Sequence, residues 1–196
     1  MALSDKELVR HCQADPGAFE ELVRRYRRAV FAYAVASTGS REDAEEVAQD
    51  VFVKVYRAAH RFNSQYSFTT WLYKIASNTC KNKLRSRRRD RRNVSLDGED
   101  SAIVAVSSDD GPLEAYRRNV EIAQVRDAIR ALPPRYREVL YLRYVGGLSY
   151  KDISHVLDLS LGNVEARIFR GKQKVRQKLA GTAGASGDRR RTGSGV

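Results

Sequence analysis

The stretch Leu157–Arg176, "LDLSLGNVEARIFRGKQKVR", decides the fold of the C-terminal part of the chain. A short polar turn, Asp158–Leu161, separates two segments of helical apolar spacing. In the second segment Val164, Ile168 and Val175 recur on one helical face, which can pack on a core. A short helix, a four-residue turn and a longer helix form the pattern of a helix-turn-helix.

The longer helix of this pattern carries many cations and one carboxylate near its tip. The cations are Arg167, Arg170, Lys172, Lys174, Arg176 and Lys178. The second helix of a helix-turn-helix enters the major groove of DNA, so these side chains can divide between base edges and phosphates. The carboxylate, Glu165, can accept a hydrogen bond from cytosine N4, a contact worth roughly 1–3 kcal/mol of discrimination. The alternative is that Glu165 contacts no base and that its negative charge only interacts favourably with the positive end of the helix dipole.

Composition favours a polyanion as the partner. The chain has 196 residues, a hydrophobic fraction of 42% and a formal net charge of +12. A basic surface of this kind is typical of nucleic-acid binding, with an anionic membrane surface as the alternative. No apolar run approaches the roughly 20 residues that span a bilayer, and "MALSDKELVRHC" lacks the pattern of a signal peptide. Cys12 and Cys80 lie far apart, which argues against a disulfide framework or zinc and fits a reducing cytosol. We therefore expect a cytoplasmic protein without membrane insertion, metal or cofactor.

Helical periodicity runs through nearly the whole chain and predicts an all-α fold of two small helical domains. Helix starts are indicated by capping residues at Ser4–Glu7, Asp15-Pro16, Ser40–Asp43 and Ser149–Asp152. Between Asn93 and Glu114 there are six acidic residues and no basic ones, which predicts a flexible acidic linker. The predicted division is therefore an N-terminal domain (1–93), a linker (94–113), a C-terminal domain with the helix-turn-helix (114–180) and a disordered tail (181–196).

The predicted helix "EDAEEVAQDVF", residues 42–52, holds five carboxylates and no cation. Asp43, Glu46 and Asp50 fall on one face of it. Phosphate would repel such a face, whereas a basic protein partner would be attracted. A solvated exterior is the alternative interpretation.

The segment "FNSQYSFTTWLYKIASNTCKNKLRSRRR", residues 62–89, combines aromatic and amide side chains with a basic run. Aromatic faces stack on unpaired bases and cations follow the backbone, as single-strand binding requires. Phe68, Trp71 and Leu72 are expected in the core. Phe62 and Asn63, at a break in the pattern, and Asn78, on a polar face, are the better candidates for base contact.

Taken together, these segments make the chain resemble the extracytoplasmic-function (ECF) sigma factors, the small alternative sigma subunits of bacterial RNA polymerase. The resemblance is carried by "FEELVRRYRRAVFAYA", "DAEEVAQDVFVKVYRA", "FTTWLYKIASNTCKNKLR" and the long C-terminal run from "LPPRYREVLYLRYVGG" to "GKQKVRQKL". It covers most of the chain outside the linker and tail.

The resemblance implies three surfaces and their partners. Asp43, Glu46, Asp50, Val51 and Phe52 would form the contact with core RNA polymerase. The melted −10 element of promoter DNA would be held by Phe62, Asn63, Asn78, Lys81 and Lys83. The double-stranded −35 element would be read by Glu165, Arg167, Phe169, Arg170 and Lys172. The resemblance further implies control by an anti-sigma factor and no catalytic residues.

The −35 helix departs from the family at one place. The family usually has Gly-Thr-Val-Lys/Arg-Ser-Arg there, and this chain has "GNVEAR", residues 162–167. The base preference at the −35 element therefore stays open. A conventional helix-turn-helix regulator that never joins polymerase is the alternative function, but it leaves the acidic helix and the aromatic-amide segment unexplained. A DNA-processing enzyme is disfavoured, since His11, His60 and His155 are scattered and no catalytic constellation is evident.

Overall fold

The computed structural model describes residues 3–62, 65–93 and 123–188, and within these ranges every regular element is a helix. The helices are α1 (Asp5–His11), α2 (Pro16–Thr38), α3 (Arg41–Ala58), a 3-10 turn (Ala59–Arg61), α4 (Phe68–Asn93), α5 (123–130), α6 (Pro134–Tyr144), α7 (Tyr150–Leu157) and α8 (Leu161–Asp188). The predicted all-α fold is confirmed.

The helix starts lie where the capping residues predict them. Ser4 forms a capping box with Glu7, and the Asp15 carboxylate accepts a hydrogen bond from the Gly17 amide at 2.9 Å. Gly39 closes α2 with a φ of 74°, a left-handed conformation that glycine adopts without strain. Each cap satisfies backbone groups that a helix end leaves unpaired, which is why a local sequence signal is sufficient to place it.

The N-terminal module consists of α1–α4, with α2, α3 and α4 packed on one another. Its centre is formed by Leu22, Val47, Val51 and Leu72, none more than 1% exposed. Phe68 is buried as expected, while Trp71 lies at the edge of the same core. Because α3 buries one face here, the carboxylates on its other face, Glu42, Glu45, Glu46 and Asp50, stay at the surface.

The C-terminal module consists of α5–α8, with Leu142, Ile153 and Val164 fully buried. The helix-turn-helix is formed by α7 and α8. Its turn is one residue shorter than predicted, because the Ser160 hydroxyl accepts a hydrogen bond from the Asn163 amide at 3.4 Å and α8 already begins at Leu161. Asp158 opens the turn in a left-handed conformation, with a φ of 58°.

The predicted end of the C-terminal domain at Ala180 needs correction. Helix α8 continues to Asp188, eight residues into the predicted disordered tail. No proline interrupts this stretch, and the glycine- and serine-rich composition that indicated a tail lowers helix propensity without forbidding a helix. The rest of the predicted tail and all of the predicted linker lie outside the described residues.

The two modules pack against each other, through α2 with α6 and α4 with α7. The Tyr141 hydroxyl of α6 donates a hydrogen bond to the Ala29 carbonyl of α2 at 2.8 Å. The Tyr141 ring lies 5.8 Å from that of Tyr33 and 6.3 Å from that of Tyr73. The two modules thus share an aromatic contact formed by Tyr33, Tyr73 and Tyr141.

No described helix combines the length and the apolar character needed to cross a membrane.

The packing of α4 can be tested with Leu72→Ala. Leu72 is 0% exposed, so truncation leaves a cavity and should lower the free energy of unfolding by about 2–5 kcal/mol. Val53→Ala is the matched control, since Val53 is 46% exposed and its truncation should change stability by no more than about 0.5 kcal/mol. Urea unfolding followed by circular dichroism measures both, and equal effects would contradict this arrangement of the core.

Candidate protein-docking and nucleic-acid interfaces

The acidic face of α3 is divided between surface and interior. Glu46 and Asp50 are exposed, the Glu46 side chain by 60%. The Asp43 side chain is only 12% exposed and accepts a hydrogen bond from Arg87 Nη1 at 2.8 Å. Glu46 and Asp50 are therefore the acidic groups of the set that a protein partner can reach directly.

Two other residues predicted for docking lie in the core. Val51 is 0% exposed and Phe52 is 8% exposed. A shallow hollow of about 630 Å³ lies beside Phe52 between α2 and α3, lined by Phe31, Glu45 and Gln49 among others. Val51 can support the acidic face from below, and Phe52 can reach a partner only through this hollow.

Lys83 of α4 joins the predicted docking surface to the predicted −10 surface. Its ammonium group donates a hydrogen bond to Glu46 and lies 3.7 Å from Asp43 Oδ1. The hydrogen bond with Glu46 is the main cause that raises the pKa of Lys83. Lys83 is thus paired with carboxylates of the same chain rather than standing open to a phosphate.

The remaining residues predicted for −10 contact differ in their exposure. Phe62 is half-buried, and its ring packs edge-on against Trp71 at 5.3 Å between centroids. Asn78 is exposed on α4. Asn63 lies outside the described residues. Among the described residues of this set, Asn78 presents an exposed amide in this conformation, and Phe62 would have to leave its aromatic neighbours to stack fully on a base.

Lys81 is held by the other module. Its ammonium group donates to Asp158 Oδ2 at 3.2 Å and to the Leu157 carbonyl at 3.3 Å. Lys74, seven residues earlier on α4, donates likewise to Asp158 Oδ1 and, at 2.8 Å, to the His155 carbonyl. The spacing of Lys74, Asn78 and Lys81 places them on one face of a helix, a signal in the sequence that could have revealed Lys74.

On α8 most of the predicted −35 residues are exposed. They are Glu165, Phe169, Arg170 and Lys172. Phe169 is 61% exposed and presents an apolar side chain at the surface of this helix. This row of side chains forms the outer face of the second helix of the helix-turn-helix, as groove binding requires.

Arg167 is the exception on this helix. Its side chain is 29% exposed and Nη1 lies 3.6 Å from Glu138 Oε1 on α6, whose side chain is 19% exposed. Burial raises the pKa of Glu138, with the nearby charges of Arg167 and Lys81 acting in the opposite direction. Nothing in the sequence "PRYREVLY" marks Glu138 as the polar residue of α6 that faces inward, so its role becomes visible only in the structure.

The structure thus defines a two-module helical protein with exposed carboxylates on α3 in one module and a helix-turn-helix in the other. Residues 22–90 match the sigma-70 region 2 family, and residues 122–175 match sigma-70 region 4. The RNA polymerase sigma-H factor of Pseudomonas aeruginosa is 36% identical over 89% of this chain and 93% of its own length. The ECF RNA polymerase sigma-E factor of Haemophilus influenzae is 34% identical over 90% of this chain and 96% of its own length.

Solved structures give the same result. CnrH, in a complex with the cytosolic domain of CnrY, superposes with a TM-score of 0.61 at 26% identity and covers 90% of this chain and 97% of its own. The sigma factor RpoE of Bartonella quintana, in a complex with the anti-sigma factor NepR, shares the fold with a TM-score of 0.66 at 21% identity, over 83% of this chain and 96% of its own. The chain belongs to the sigma-70 family and, within it, to the ECF sigma factors, which are transcription initiation factors. The resemblance found in the sequence is confirmed.

The buried position of Glu138 generates a prediction about pH. The pKa of the Glu138 carboxyl is higher in the native state than in the unfolded chain. Between these two pKa values the native state therefore binds more protons than the unfolded state. The contribution of Glu138 to stability is therefore greatest below the unfolded pKa and declines as the pH rises through the native pKa. Glu138→Gln should remove this decline.

The measurement is the free energy of unfolding by urea at several pH values between 4 and 8. The wild-type value minus the Glu138→Gln value should fall as the pH rises, since only the wild type has a carboxyl to ionise at this position. A difference that stays constant across the range would mean that the carboxyl ionises equally easily in both states, contrary to its burial.

Proposed function

We propose that this ECF sigma factor docks on core RNA polymerase through α3, holds melted −10 DNA along α4 and reads the −35 element with α8. The observation that carries the proposal is the separation of charge. The exposed carboxylates Glu42, Glu45, Glu46 and Asp50 lie along α3 of one module, and the exposed face of α8 in the other carries Phe169, Arg170 and Lys172. A single DNA-binding surface would need no carboxylate face, because phosphate repels it.

The docking contact is assigned to Glu46 and Asp50 as the exposed members of the predicted set. Val51 is a supporting core residue beneath them, and Phe52 borders the hollow between α2 and α3. Asp43, paired with Arg87 and close to Lys83, fixes α4 against α3. Complementary charge between this face and a basic polymerase surface would speed association and fix its orientation.

The −10 contact is assigned to α4 and the break before it. Asn78 offers an amide to an unpaired base, Lys81 and Lys83 offer charge to the adjoining phosphates, and Phe62 and Asn63 flank them at the break. Opening a duplex requires replacements for the lost stacking and pairing of a base, which aromatic and amide groups supply. Both lysines are paired with carboxylates of their own chain in this structure, so binding DNA requires them to exchange partners.

The −35 contact is assigned to the exposed face of α8. Arg170 and Lys172 are open to bases or phosphates, and Phe169 offers an apolar contact such as the thymine methyl group accepts. Arg167 reaches DNA only by exchanging Glu138 for a base or phosphate. Glu165 is exposed and free to accept a hydrogen bond from cytosine N4.

The proposal includes three further points. The protein acts in the cytoplasm, where polymerase and promoter DNA are found. It contributes no catalytic residue of its own, since it positions DNA for nucleotide chemistry carried out by the polymerase. An anti-sigma factor controls it, supported by the likeness to RpoE of Bartonella quintana, whose structure is that of a complex with the anti-sigma factor NepR.

The test is transcription from a randomised promoter library by bacterial core polymerase, with and without the protein. We expect defined start sites that appear only when the protein is added, together with enriched bases near positions −10 and −35. Tight binding of the protein alone to a duplex site, without any initiation, would instead identify a conventional helix-turn-helix regulator.

Asp50→Lys should abolish binding to core polymerase while leaving the fold intact. The change reverses the charge of an exposed carboxylate at the proposed contact, so attraction becomes repulsion. Glu20→Lys makes the same change at an exposed position on α2 and should leave binding unchanged. Pull-down of polymerase and circular dichroism provide the readouts, and equal binding by both variants would remove α3 from the docking surface.

Glu165→Ala should relax the base preference at one −35 position in the same library experiment. If the carboxylate reads cytosine, its removal loses roughly 1–3 kcal/mol of discrimination, about a 5- to 150-fold loss of enrichment at that position. Glu42→Ala, an exposed carboxylate of the other module, is the control and should not alter the −35 pattern. An unchanged pattern in Glu165→Ala would show that the carboxylate does not read a base. Its role would then be the favourable interaction of its charge with the helix dipole.

A further inference from the structure

An apolar groove of about 410 Å³ lies between α5, α6 and α8, with Ala36 of α2 forming part of its wall. Val125 of α5 lines it and is 38% exposed. Tyr144 and Val145, at the C-terminal end of α6, also line it and are 60% and 65% exposed. Large apolar side chains that stand open to water around one concavity are typical of a binding site.

The rim of this groove is basic and carries Arg137 of α6 together with Lys172 and Arg176 of α8. Among the described residues, none of these three cations forms an ion pair with a carboxylate. Arg137 Nη1 donates to the Arg130 carbonyl at 3.0 Å, but the buried Nε of Arg137 has no acceptor within the described part of the chain. Burial also lowers the pKa of Arg137, a shift that a nearby anion would oppose. The groove therefore suits an apolar segment that is flanked by carboxylates.

The chain itself contains a segment of this kind, outside the described residues. Residues 101–106, "SAIVAV", include five consecutive apolar residues within the acidic stretch that joins the two modules. Carboxylates stand on both sides of this run, namely Asp97, Glu99, Asp100, Asp109 and Asp110. A segment that only spans a distance needs no aliphatic residues, and linkers are usually polar. The run thus matches the groove in apolar character and its flanks match the rim in charge.

The position of the run in the chain also favours it as the occupant. Val106 lies 17 residues before Ala123, the first residue of α5, so the connection spans at most about 55–60 Å. Val125, two residues further on, lines the groove itself. A segment attached this close has an effective concentration on the order of millimolar, so that even a weak contact is populated.

We propose that this groove binds residues 101–106 of its own chain. Ile103 and Val104 bury their side chains against the apolar wall, and the flanking carboxylates pair with the basic rim and supply an acceptor to Arg137. The contact removes apolar surface of both parts from water. Any protein partner that enters the same groove then has to displace this segment. The inference is independent of the proposed function, because the segment and the groove meet without polymerase or DNA.

The first test traps the contact in the full chain with Val104→Cys and Val145→Cys, oxidised by glutathione disulfide. The native Cys12 and Cys80 are each 1% exposed and do not compete for the oxidant. We expect an intramolecular disulfide, seen as a shifted monomer band on a non-reducing gel, to form at least tenfold faster than in the control. The control combines Val104→Cys with Val53→Cys, since Val53 is an apolar residue of the other module that is 46% exposed.

The second test uses a fluorescein-labelled peptide of residues 97–110 and follows its binding by anisotropy. In the full chain with Ile103→Asp and Val104→Asp, the native segment no longer competes, so the Kd of the peptide should be at least fivefold lower than with the wild type. Adding Val145→Asp to this variant places a carboxylate in the groove and should weaken peptide binding at least tenfold. Adding Val53→Asp instead makes the same change at an exposed site elsewhere and should leave the Kd unchanged.

Three outcomes would overturn the proposal, provided that circular dichroism shows the variants to be folded. The first is an equal rate of disulfide formation in the two cysteine pairs. The second is a disulfide that forms only between two molecules, because the groove would then bind a second copy of the chain. The third is a peptide that binds the wild type and the variant with Ile103→Asp and Val104→Asp equally well.

The outcome is distinguishable from that of the proposed function. Rapid trapping together with a failed promoter-library experiment would reject the proposed function and leave the groove contact in place. Successful initiation together with equal trapping rates would reject the groove contact alone.

Discussion

The structure depends above all on the burial of α2, which serves both modules. Leu22 and Val30, each 0% exposed, pack into the N-terminal core, and Tyr33 in the next turn lies between Tyr73 and Tyr141. Helix α2 contacts α3 and α4 of its own module and α6 of the other. Because a single rigid helix carries apolar side chains toward both modules, the position of α6, and with it the helix-turn-helix, is set relative to α4.

Around this apolar core, lysines of α4 form ion pairs with carboxylates of the same chain. Despite a net charge of +12, three lysines of α4 face carboxylates, Lys83 toward Glu46 and Asp43, and Lys74 and Lys81 toward Asp158. Exposed pairs of this kind add little stability and weaken with salt. In the proposed function, the cations of α4 would therefore exchange partners on binding DNA, whereas those on the outer face of α8 are already exposed.

Much of the fold follows from local signals in the sequence. Ser4, Asp15, Ser40 and Ser149 begin helices because each side chain pairs a backbone amide within three residues, an interaction that needs no tertiary contact. The end of α8 was misplaced for the complementary reason: glycine and serine weaken a helix only statistically, and nothing in that stretch stops it. Among the site residues, helical spacing alone brought Asp43, Glu46 and Asp50 to one face, but it could not show that Arg87 of α4 pairs with Asp43.

The sequence by itself determined the helices, the division into two modules, the helix-turn-helix and the family, because periodicity, caps and charge runs are short-range properties of the chain. Only the tertiary structure decided that Arg167 lies beside Glu138, that Val51 and Phe52 are buried, and that Lys74 and Lys81 meet Asp158. Each of these contacts joins residues far apart in sequence or selects one face of a helix over another. Such selection depends on which surfaces pack together, and a periodic pattern does not contain that information.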